Sequence, residues 1–410
     1  MKINKSYKFR IYPNKEQEIL INKTFGCTRL IFNLMLNERK INNNPKPKYL
    51  TEKQYKEKYE FLKEVDSIAL QQSRINLEQA YKNYFNSKNG KRKGKEIGEP
   101  NFKSKHNKNK SYRTQHVSNN IQINFENSKI KLPKLGWIKY SDSRIFKGDI
   151  CNVTISKVLS GKYFVAILIE EEIYYETHKI NSSSKCIGLD YDSKNLFTNN
   201  ENQVAGYPRF YRKYENKLKK AQRKLSKKKL GSKNREKQRI KLAKIHEKIA
   251  NSRKDFQDKL STQIVKEYDV IGIESLNMQA MSQCLNLGKS TLDNAWGYFR
   301  NMLEYKSLWY GKHLIFADKW YASTKTCSYC GYKLAKIELS TKEWECPICH
   351  TQHYRDQNAA INLMNNAKEV LKINTSGTEE FQAPGDRTST KLEKVEASFI
   401  NEGRNLLLQG

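Results

Sequence analysis

The first part of the chain changes from a strand pattern to a helix pattern. In residues 3–12, apolar residues alternate with Lys and Arg, which is typical of a half-buried strand, and Pro13 ends this pattern. From residue 14 to about residue 86 the apolar positions recur at helical spacing, which predicts a helical insert. Residues 88–113 are rich in Gly and basic residues, which indicates a flexible cationic loop or, alternatively, an ordinary solvated surface.

Four short segments further along the chain again alternate between apolar and polar residues. Turn-forming Asn, Ser, Gly or Pro separates one segment from the next. Segments at this spacing predict a small β-barrel, to which the strand of residues 3–12 adds from a distance in sequence. The apolar positions are Ile121/Ile123/Phe125, Ile130/Leu132, Val153/Ile155 and Tyr163/Val165/Ile167/Ile169.

The second half of the chain predicts a mixed α/β domain. Two short apolar strands, residues 186–189 and 270–273, are each followed directly by an acid. Between them, a very basic segment carries apolar residues spaced by threes, fours and sevens around a break at Gly231, which predicts a helical hairpin. The remaining predicted elements are an amphipathic helix over 292–310, a strand over 313–317 and a disordered tail over 376–410.

Together these patterns predict an α+β protein of several domains. A chain of 410 residues is too long for one ordinary compact domain. We expect a boundary at the polar run of residues 181–184. The predicted domains are a β-barrel of residues 1–13 and 114–180, a helical insert of 14–113, an α/β domain of 181–318 and 353–375, a cysteine-rich insert of 319–352, and the tail of 376–410.

The charge balance indicates a polyanionic partner. The chain has 76 Lys and Arg against 43 Asp and Glu, a formal net charge of +33. Such an excess is hard to keep in one compact body unless a polyanion neutralises it, so nucleic acid is the leading partner and an anionic membrane surface is the alternative. Lys outnumbers Arg, which favours phosphate contact over bidentate base recognition, although an A/T-rich genome also favours Lys codons.

Hydropathy predicts a protein of the cytosol. The longest apolar stretch, Tyr163–Ile169, is far below the roughly 18 residues that a membrane span needs. No apolar segment of a secretory signal follows the charged start of the sequence. We therefore expect no membrane span, a reducing cytoplasmic location and no disulfides.

The sharpest motif is a pair of Cys-x2-Cys turns. Cys327 and Cys330 form the first turn, and Cys346 and Cys349 form the second. Zinc prefers four thiolates in a tetrahedron, and two such turns joined by a short hairpin supply them. The alternatives are a redox pair and chance. Because four ligands leave no open coordination position, the motif predicts one structural zinc ion.

Three acids stand at the ends of predicted elements. Asp190 and Glu274 each follow an apolar strand, and Asp356 opens a predicted helix. Carboxylates in such positions can converge on hard cations, and two ions about 3.5–4 Å apart activate a water and stabilise the leaving oxygen of a phosphodiester. From spacing alone, three unrelated surface acids are the alternative.

A series of short motifs runs from Tyr7 to Ala360. They are Tyr7-Lys8-Phe9-Arg10-Ile11-Tyr12-Pro13, Pro100-Asn101-Phe102-Lys103-Ser104, Ile187-Gly188-Leu189-Asp190 with Lys194-Asn195-Leu196, Gly231-Ser232-Lys233-Asn234-Arg235, Ile273-Glu274-Ser275-Leu276-Asn277-Met278, Trp296-Gly297, Glu304-Tyr305-Lys306, Trp309-Tyr310-Gly311, Ser323-Thr324-Lys325-Thr326-Cys327 and Arg355-Asp356-x-Asn358-Ala359-Ala360. In these motifs the chain resembles the TnpB family of transposon-encoded RNA-guided nucleases, relatives of type V CRISPR effectors. The resemblance covers nearly the whole chain except the tail.

The resemblance implies a RuvC-type, RNase H-like nuclease domain over 181–318 and 353–375, with a zinc ribbon over 319–352 inserted before the last acid. The family's catalytic acids match Asp190, Glu274 and Asp356. We expect these acids to hold two Mg²⁺ ions, with Mn²⁺ as a substitute. Asp190 would bridge the ions, and the other two acids would each complete one coordination sphere.

The resemblance also implies the nucleic-acid partners. The N-terminal barrel and helices would grip a guide RNA, its heteroduplex with double-stranded target DNA, and a short motif beside the target. Base pairing would then determine the target, and basic side chains would contact the phosphate backbone. The side chains predicted for this contact are Lys103, Lys227, Lys228, Lys229 and Arg235, with a solvated face of the basic hairpin (residues 212–248) as the alternative.

Two positions depart from the family pattern. Tyr191-Asp192 follows the first acid where the family has a small or apolar residue and Gly, and Tyr354 stands where an Asp precedes the Arg before the third acid. We expect these tyrosines to crowd or reshape the metal site. An RNA-guided DNA-binding protein or repressor with a silent site is therefore one alternative, and a zinc-ribbon accessory of a transposase is another. The presence of all three acids favours an enzyme without a small-molecule cofactor.

Overall fold

The protein forms two compact units, divided between residues 173 and 174 in a computed structural model. The described residues are 2–42, 49–92, 94–107, 110–141, 144–172, 180–181, 183–284, 288–338 and 340–376. The predicted tail lies outside them from residue 377 onward, as do Lys93 and Lys108 of the predicted cationic loop. Within the described ranges, no helix is long and apolar enough to cross a membrane.

The N-terminal unit combines a sheet with a group of helices. Its described elements, in chain order, are β1 (Lys2–Tyr12), α1 (Lys15–Asn42), α2 (Glu52–Lys58), a 3-10 helix (Glu60–Glu64), α3 (Ser67–Lys88), β2 (Lys110–Gln115), β3 (Gln122–Asn124), β4 (Lys129–Leu132), β5 (Gly136–Tyr140), β6 (Asp149–Lys157) and β7 (Tyr163–Glu172). The strand predicted over residues 3–12 and the helices predicted over residues 14–86 are confirmed. The bounds of the predicted insert stay a prediction.

The strands of this unit form one antiparallel sheet in the order β2-β6-β7-β1-β5-β4-β3. The first strand of the chain is central, because β1 pairs with β7 from Lys2↔Glu172 to Ile11↔Tyr163 and with β5 at its end. A closed barrel is not confirmed. Among the described strands, no pairing joins β2 to β3, so the sheet stays open in its hydrogen bonding.

One strand occupies part of the predicted cationic loop. Residues 110–113 belong to β2, so the expectation of a loop is wrong there. Tyr112 and Thr114 are buried, whereas the residues between and around them are exposed or half-buried. The strand period is therefore present, but its inward positions are polar or aromatic, and hydropathy alone does not reveal it.

Short polar side chains set the helix starts in this unit. Asn14 caps α1 through a reciprocal pair of hydrogen bonds, in which its Oδ1 accepts from the Gln17 N–H at 2.8 Å and Gln17 Oε1 accepts from the Asn14 N–H at 3.0 Å. Thr51 and Asp66 cap α2 and α3. Between the caps, the helices bury one apolar core that includes Ile31, Met35, Leu36, Leu62, Leu70 and Leu77.

The C-terminal unit is an α/β structure with a small cysteine-rich insert. Its described elements are β8 (Cys186–Asp192), β9 (Leu196–Asn199), α4 (Phe210–Ser226), α5 (Lys233–Glu267), β10 (Val270–Ile273), α6 (Met278–Cys284), α7 (Gly288–Asn294), α8 (Trp296–Trp309), β11 (His313–Phe316), β12 (Glu343–Glu345), β13 (Gln352–Tyr354) and α9 (Arg355–Ser376). The predicted helix over 292–310 begins later, at Trp296. Ala295 has a φ of 46° and separates α7 from α8.

The basic hairpin consists of α4 and α5, as predicted. Ser232, at the break, caps α5 by accepting a hydrogen bond from the Arg235 N–H at 3.1 Å.

A buried lysine of α8 forms an ion pair with α5. The Lys306 ammonium donates to the Asp258 carboxylate at 2.9 Å, and desolvation lowers its pKa although Asp258 opposes the shift.

Helix α9 lies directly on the sheet because two glycines leave it room. The sheet has the order β11-β10-β8-β9, with β8, β10 and β11 parallel. Gly188 and Gly272 are register partners on β8 and β10. A Cβ on Gly188 would lie 1.8 Å from the Ala360 carbonyl oxygen, and one on Gly272 would lie 2.3 Å from the Leu363 carbonyl oxygen. The backbones of helix and strands are therefore in contact.

We expect Gly188→Ala to destabilise the C-terminal unit, because the added methyl group overlaps the backbone of α9. Over-packing of a core costs about 1–3 kcal/mol or more. The thermal midpoint of this unit should therefore fall by at least about 2 °C, as measured by calorimetry. Gly297→Ala in α8 is the matched control, since its Cβ would meet nothing within 4 Å and Ala favours a helix. Equal midpoints for the two variants would contradict the close packing of α9.

Candidate active site and zinc centre

The three predicted acids meet at one end of the C-terminal sheet. Leu189 of β8 pairs in register with Ile273 of β10, and the next residues are Asp190 and Glu274. Since the two strands are parallel, both carboxylates leave the same edge. Asp356 is the second residue of α9, and that helix touches both strands. The structure thus brings together residues that are up to 166 positions apart in the sequence.

The surroundings of Asp190 disfavour its ionised form. Burial, followed by the negative charges of Glu274 and Asp356, raises the pKa of the Asp190 carboxyl well above its usual range. A hydrogen bond with Glu274 acts in the same direction, and Arg355 offsets the shift only in part. Carboxylates that repel one another in this way are stabilised by a bound cation.

Two basic side chains hold Asp356. Arg355 donates from Nε and Nη2 to Oδ1 at 2.9 and 2.7 Å, and Lys342 donates from Nζ to Oδ2 at 3.2 Å. Burial raises the pKa of Asp356, but Arg355 and then Lys342 outweigh it, and the net pKa is lowered. Asp356 is therefore held in its ionised form. The sequence did not assign a role to Lys342.

The acids suit a hard cation by their chemistry, although they are not yet arranged as one ligand set. Carboxylate oxygens are the ligands that Mg²⁺ prefers. Within the described ranges, however, the three acids do not form a group tight enough to hold one ion between them. The ion pairs of Asp356 with Lys342 and Arg355 occupy oxygens that a cation would need. Metal binding therefore has to compete with these two cationic groups.

The structure does not place Tyr191 against the acids. The Tyr191 ring packs on Trp296 with centroids 5.2 Å apart, and its hydroxyl accepts a hydrogen bond from the Asn294 amide at 3.2 Å. Successive side chains of a strand point to opposite faces, so Tyr191 and Asp190 lie on different faces of β8. Tyr354 is exposed at the end of β13.

The four predicted zinc ligands converge. The Sγ atoms of Cys327, Cys330, Cys346 and Cys349 all lie within 4.8 Å of one another, and the described residues hold no other such group of potential ligands. The Cys330–Cys346 and Cys327–Cys349 pairs are 3.5 and 3.6 Å apart. A Zn–S bond of about 2.3 Å places tetrahedral sulfurs about 3.8 Å apart. The cluster therefore fits one zinc ion.

Two further side chains support the cysteine cluster, and the sequence did not indicate either. His353 Nε2 lies 3.0 Å from Cys327 Sγ, and its ring packs on Trp344 with centroids 4.6 Å apart. The Thr351 hydroxyl and then its N–H lower the pKa of the Cys349 thiol to about 6. A lowered pKa favours the thiolate, which is the form that binds metal.

The residues predicted to contact nucleic acid fall on both units. Residues 227–229 form the tip between α4 and α5, where Lys228 is half-buried and its two neighbours are exposed. Arg235 Nη1 donates to the Leu225 carbonyl in the last turn of α4 at 2.8 Å and to the Lys228 carbonyl in the tip at 2.9 Å, so it closes the turn. In the N-terminal unit, the Lys103 ammonium lies 3.7 Å from the centroid of the Phe32 ring. Contact of these side chains with nucleic acid stays a prediction.

We expect purified protein to contain about one zinc ion per chain, because the cysteines form one tetrahedral site. Cys346→Ser should lose the metal and destabilise the insert, since metal binding supplies much of the folding energy of a small metal domain. Elemental analysis and thermal unfolding measure these outcomes. Cys186→Ser, outside the cluster, is the control and should keep its zinc. An intact fold with less than about a tenth of an equivalent of zinc would contradict this prediction.

Family profiles match three parts of the chain. The OrfB profile, described as a probable transposase, matches residues 167–285. A Cas12f1-like TNB domain matches 296–363, and a helix-turn-helix domain matches 1–43. In the structure, the described part of that last region is a strand followed by one long helix, β1 and α1.

Relatives and a solved structure match most of the chain. A Streptomyces pristinaespiralis protein named "Putative RNA-guided DNA endonuclease" is 32% identical over 374 residues, 88% of this chain and 89% of its own. InsQ of Escherichia coli K12, described in the same words, is 32% identical over 395 residues, 90% of this chain and 94% of its own. The Cas12f1 chain in a complex with sgRNA and target DNA has a TM-score of 0.50 at 13% identity, covering 89% of this chain and 99% of that one, which shows a shared fold. The protein therefore belongs to the TnpB (OrfB) family of transposon-encoded RNA-guided nucleases.

Proposed function

We propose that the protein is an RNA-guided DNA endonuclease whose single active site contains Asp190, Glu274 and Asp356. The observation that carries this proposal is the meeting of three acids: Asp190 inside β8, Glu274 directly after β10 and Asp356 at the start of α9. Burial and the negative charges of Glu274 and Asp356 raise the pKa of Asp190, and a bound divalent cation would offset both effects. The names of the two relatives support the same reaction.

The topology of the C-terminal unit supports a RuvC-type, RNase H-like nuclease domain. β8 and β9 form an antiparallel pair, and β10 and β11 then add parallel to β8. Asp190 lies inside β8, directly after the residues that pair with β10, and Glu274 follows β10. The cysteine-rich insert lies between β11 and the helix that carries the third acid. This order of elements is the one that the family resemblance implies.

The acids would hold Mg²⁺, with Mn²⁺ as a substitute, and the bound ions would supply an activated water and neutralise charge on the leaving oxygen. The chain itself arranges the charges for this chemistry. Arg355 and Lys342 keep Asp356 ionised. The pKa of Asp190 is raised, and a cation held by this carboxylate would favour its ionised form.

The partners in this proposal are a guide RNA and double-stranded target DNA. A net charge of +33 suits a protein that covers long stretches of phosphate backbone. Many of the exposed basic side chains lie along α4. They include Lys213, Lys217, Lys220, Arg223 and Lys224. Base pairing with the guide then selects the target, and the protein needs few contacts with base edges outside the short adjacent motif. The cytoplasm, where bacterial DNA lies, is the location that this function requires.

We expect Asp190→Ala, Glu274→Ala and Asp356→Ala each to lose cleavage by several orders of magnitude, because each removes oxygen ligands and negative charge from the cation site. Guided DNA binding should stay close to that of the unchanged protein, since pairing and backbone contacts lie elsewhere. Chelation of Mg²⁺ should have the same effect. Cleavage assays and binding assays on the same guide and target measure the two properties separately.

Asp192→Ala is the matched control for these acids. Asp192 follows Asp190 by two positions, but its carboxylate binds the Lys194 N–H and the Asn195 amide at 2.7 Å each. Its substitution should leave cleavage largely intact. A protein that binds its guided target but never cuts with Mg²⁺ or Mn²⁺ present would be an RNA-guided binding protein instead, and the enzymatic proposal would be wrong.

We expect the triple substitution of Lys227, Lys228 and Lys229 by Ala to weaken nucleic-acid binding for every target alike. Because phosphate contacts release counterions, the slope of log affinity against log salt should flatten by up to about 0.9 per lost contact. Titrations at several salt concentrations measure this slope. Lys259→Ala is the control, since Lys259 is already paired with Asp255 at 2.8 Å. An unchanged slope in the triple variant would indicate a solvated helix face.

A further inference from the structure

Glu274 is held by a serine that has no role in the proposed chemistry. Glu274 follows β10 directly, in residues 274–277, which have no regular secondary structure. The Ser323 hydroxyl donates to Glu274 Oε1 at 2.8 Å, and Ser323 is only 3% exposed. A hydrogen bond of this kind fixes the orientation of a carboxylate that is to bind metal.

Ser323 lies in a turn of residues 322–328, which we call the zinc-site turn. The turn contains the first zinc ligand, Cys327. Within the turn, the N–H groups of Lys325 and Thr326 both donate to the Ala322 carbonyl at 3.2 and 3.1 Å. The carbonyls of Lys325 and Cys327 accept from backbone N–H groups further along the chain. The carbonyls of Ser323 and Thr326 need side-chain partners in a buried position.

Two asparagines of α9 supply those partners. Asn362 Nδ2 donates to the carbonyls of Ser323 and Thr326 at 2.7 and 2.6 Å. Asn358 Nδ2 donates to the Thr326 carbonyl at 2.8 Å, and its Oδ1 accepts from the Ser328 N–H at 2.9 Å. Both asparagines are buried, and their spacing of four places them on one face of the helix.

We propose that Ser323 is a positioning residue for Glu274, and that Asn358 and Asn362 hold the zinc-site turn so that it can play this part. Helix α9 then places one acid directly, through Asp356, and a second one indirectly, through the turn and Ser323. The cysteine cluster and the carboxylate site are thus joined through the backbone of the zinc-site turn and the hydrogen bond from Ser323 to Glu274. This inference rests on the proposed function, in which Glu274 binds a cation.

The test is the binding of Mn²⁺ to the full-length protein without RNA. Electron paramagnetic resonance measures how much Mn²⁺ is bound. The Mn²⁺ that the unchanged protein binds and Asp190→Ala does not is the Mn²⁺ bound at the three acids. Ser323→Ala should weaken this binding about 10- to 100-fold, the usual effect of removing a partner of a metal ligand. With guide RNA added, the Mg²⁺ concentration for half-maximal cleavage should rise by a similar factor, while guided DNA binding and zinc content stay unchanged.

Thr324→Ala is the matched control. It removes a hydroxyl from the same turn, and no side-chain hydrogen bond of Thr324 is seen among the described residues, so Mn²⁺ binding should not change. Asn362→Ala is the second variant, because it loosens the turn without touching Glu274. It should weaken Mn²⁺ binding in the same direction, and it tests the inference even if Ser323→Ala does not fold.

Two results separate the possible failures. If the unchanged protein shows Mn²⁺ binding that Asp190→Ala removes, but Ser323→Ala and Asn362→Ala bind Mn²⁺ as tightly as the unchanged protein, the positioning role is wrong and the proposed function stands. If Asp190→Ala does not alter Mn²⁺ binding at all, the carboxylates are not a cation site, and both proposals are overturned.

Discussion

The contact between α9 and two paired glycines is the constraint on which the C-terminal unit depends. Gly188 and Gly272 stand side by side on β8 and β10, and the carbonyls of Ala360 and Leu363 occupy the space that side chains would fill. A helix that lies this close cannot shift along the sheet without a clash between backbones. Its first turn, and with it Asp356, is therefore held at the strand ends. The electrostatic properties of the three acids follow from this packing.

Each face of α9 serves a different purpose. Its small and apolar residues, Ala359, Ala360, Leu363 and Ala367, are fully buried against the strands. The two asparagines face the zinc-site turn and satisfy carbonyls that would otherwise be buried without partners, which costs about 1–3 kcal/mol each. The acid is at the start of the helix, where a negative charge is favourable. One element thus connects the sheet, the cysteine cluster and the carboxylates.

The three acids of the proposed active site form a local negative site in a strongly basic protein. The three acids are gathered at one edge of the sheet, where Arg355 and Lys342 lower the pKa of Asp356. The pKa of Asp190 stays raised, because Arg355 offsets only part of its shift. Over the whole chain, Lys and Arg outnumber Asp and Glu by 76 to 43. A local negative site attracts divalent cations, and the positive surface attracts phosphates. Arg235 shows that not every basic residue contributes to that surface, because its guanidinium is used to close the tip of the hairpin.

The sequence by itself determined the features that depend on neighbouring residues. The apolar runs that end in Asp190 and Glu274, the spacing of the four cysteines and the break at Gly231 are local patterns, and they predicted the strands, the metal cluster and the hairpin. Only the tertiary structure decided the rest. Strand β2 was not predicted, because its inward positions are polar or aromatic. Helix α8 begins after Ala295, which has a left-handed backbone conformation. The hydrogen bond from Ser323 to Glu274 joins residues 49 positions apart. Such contacts depend on which surfaces pack together, and hydrophobic periodicity records only that a residue is buried, not the residue against which it packs.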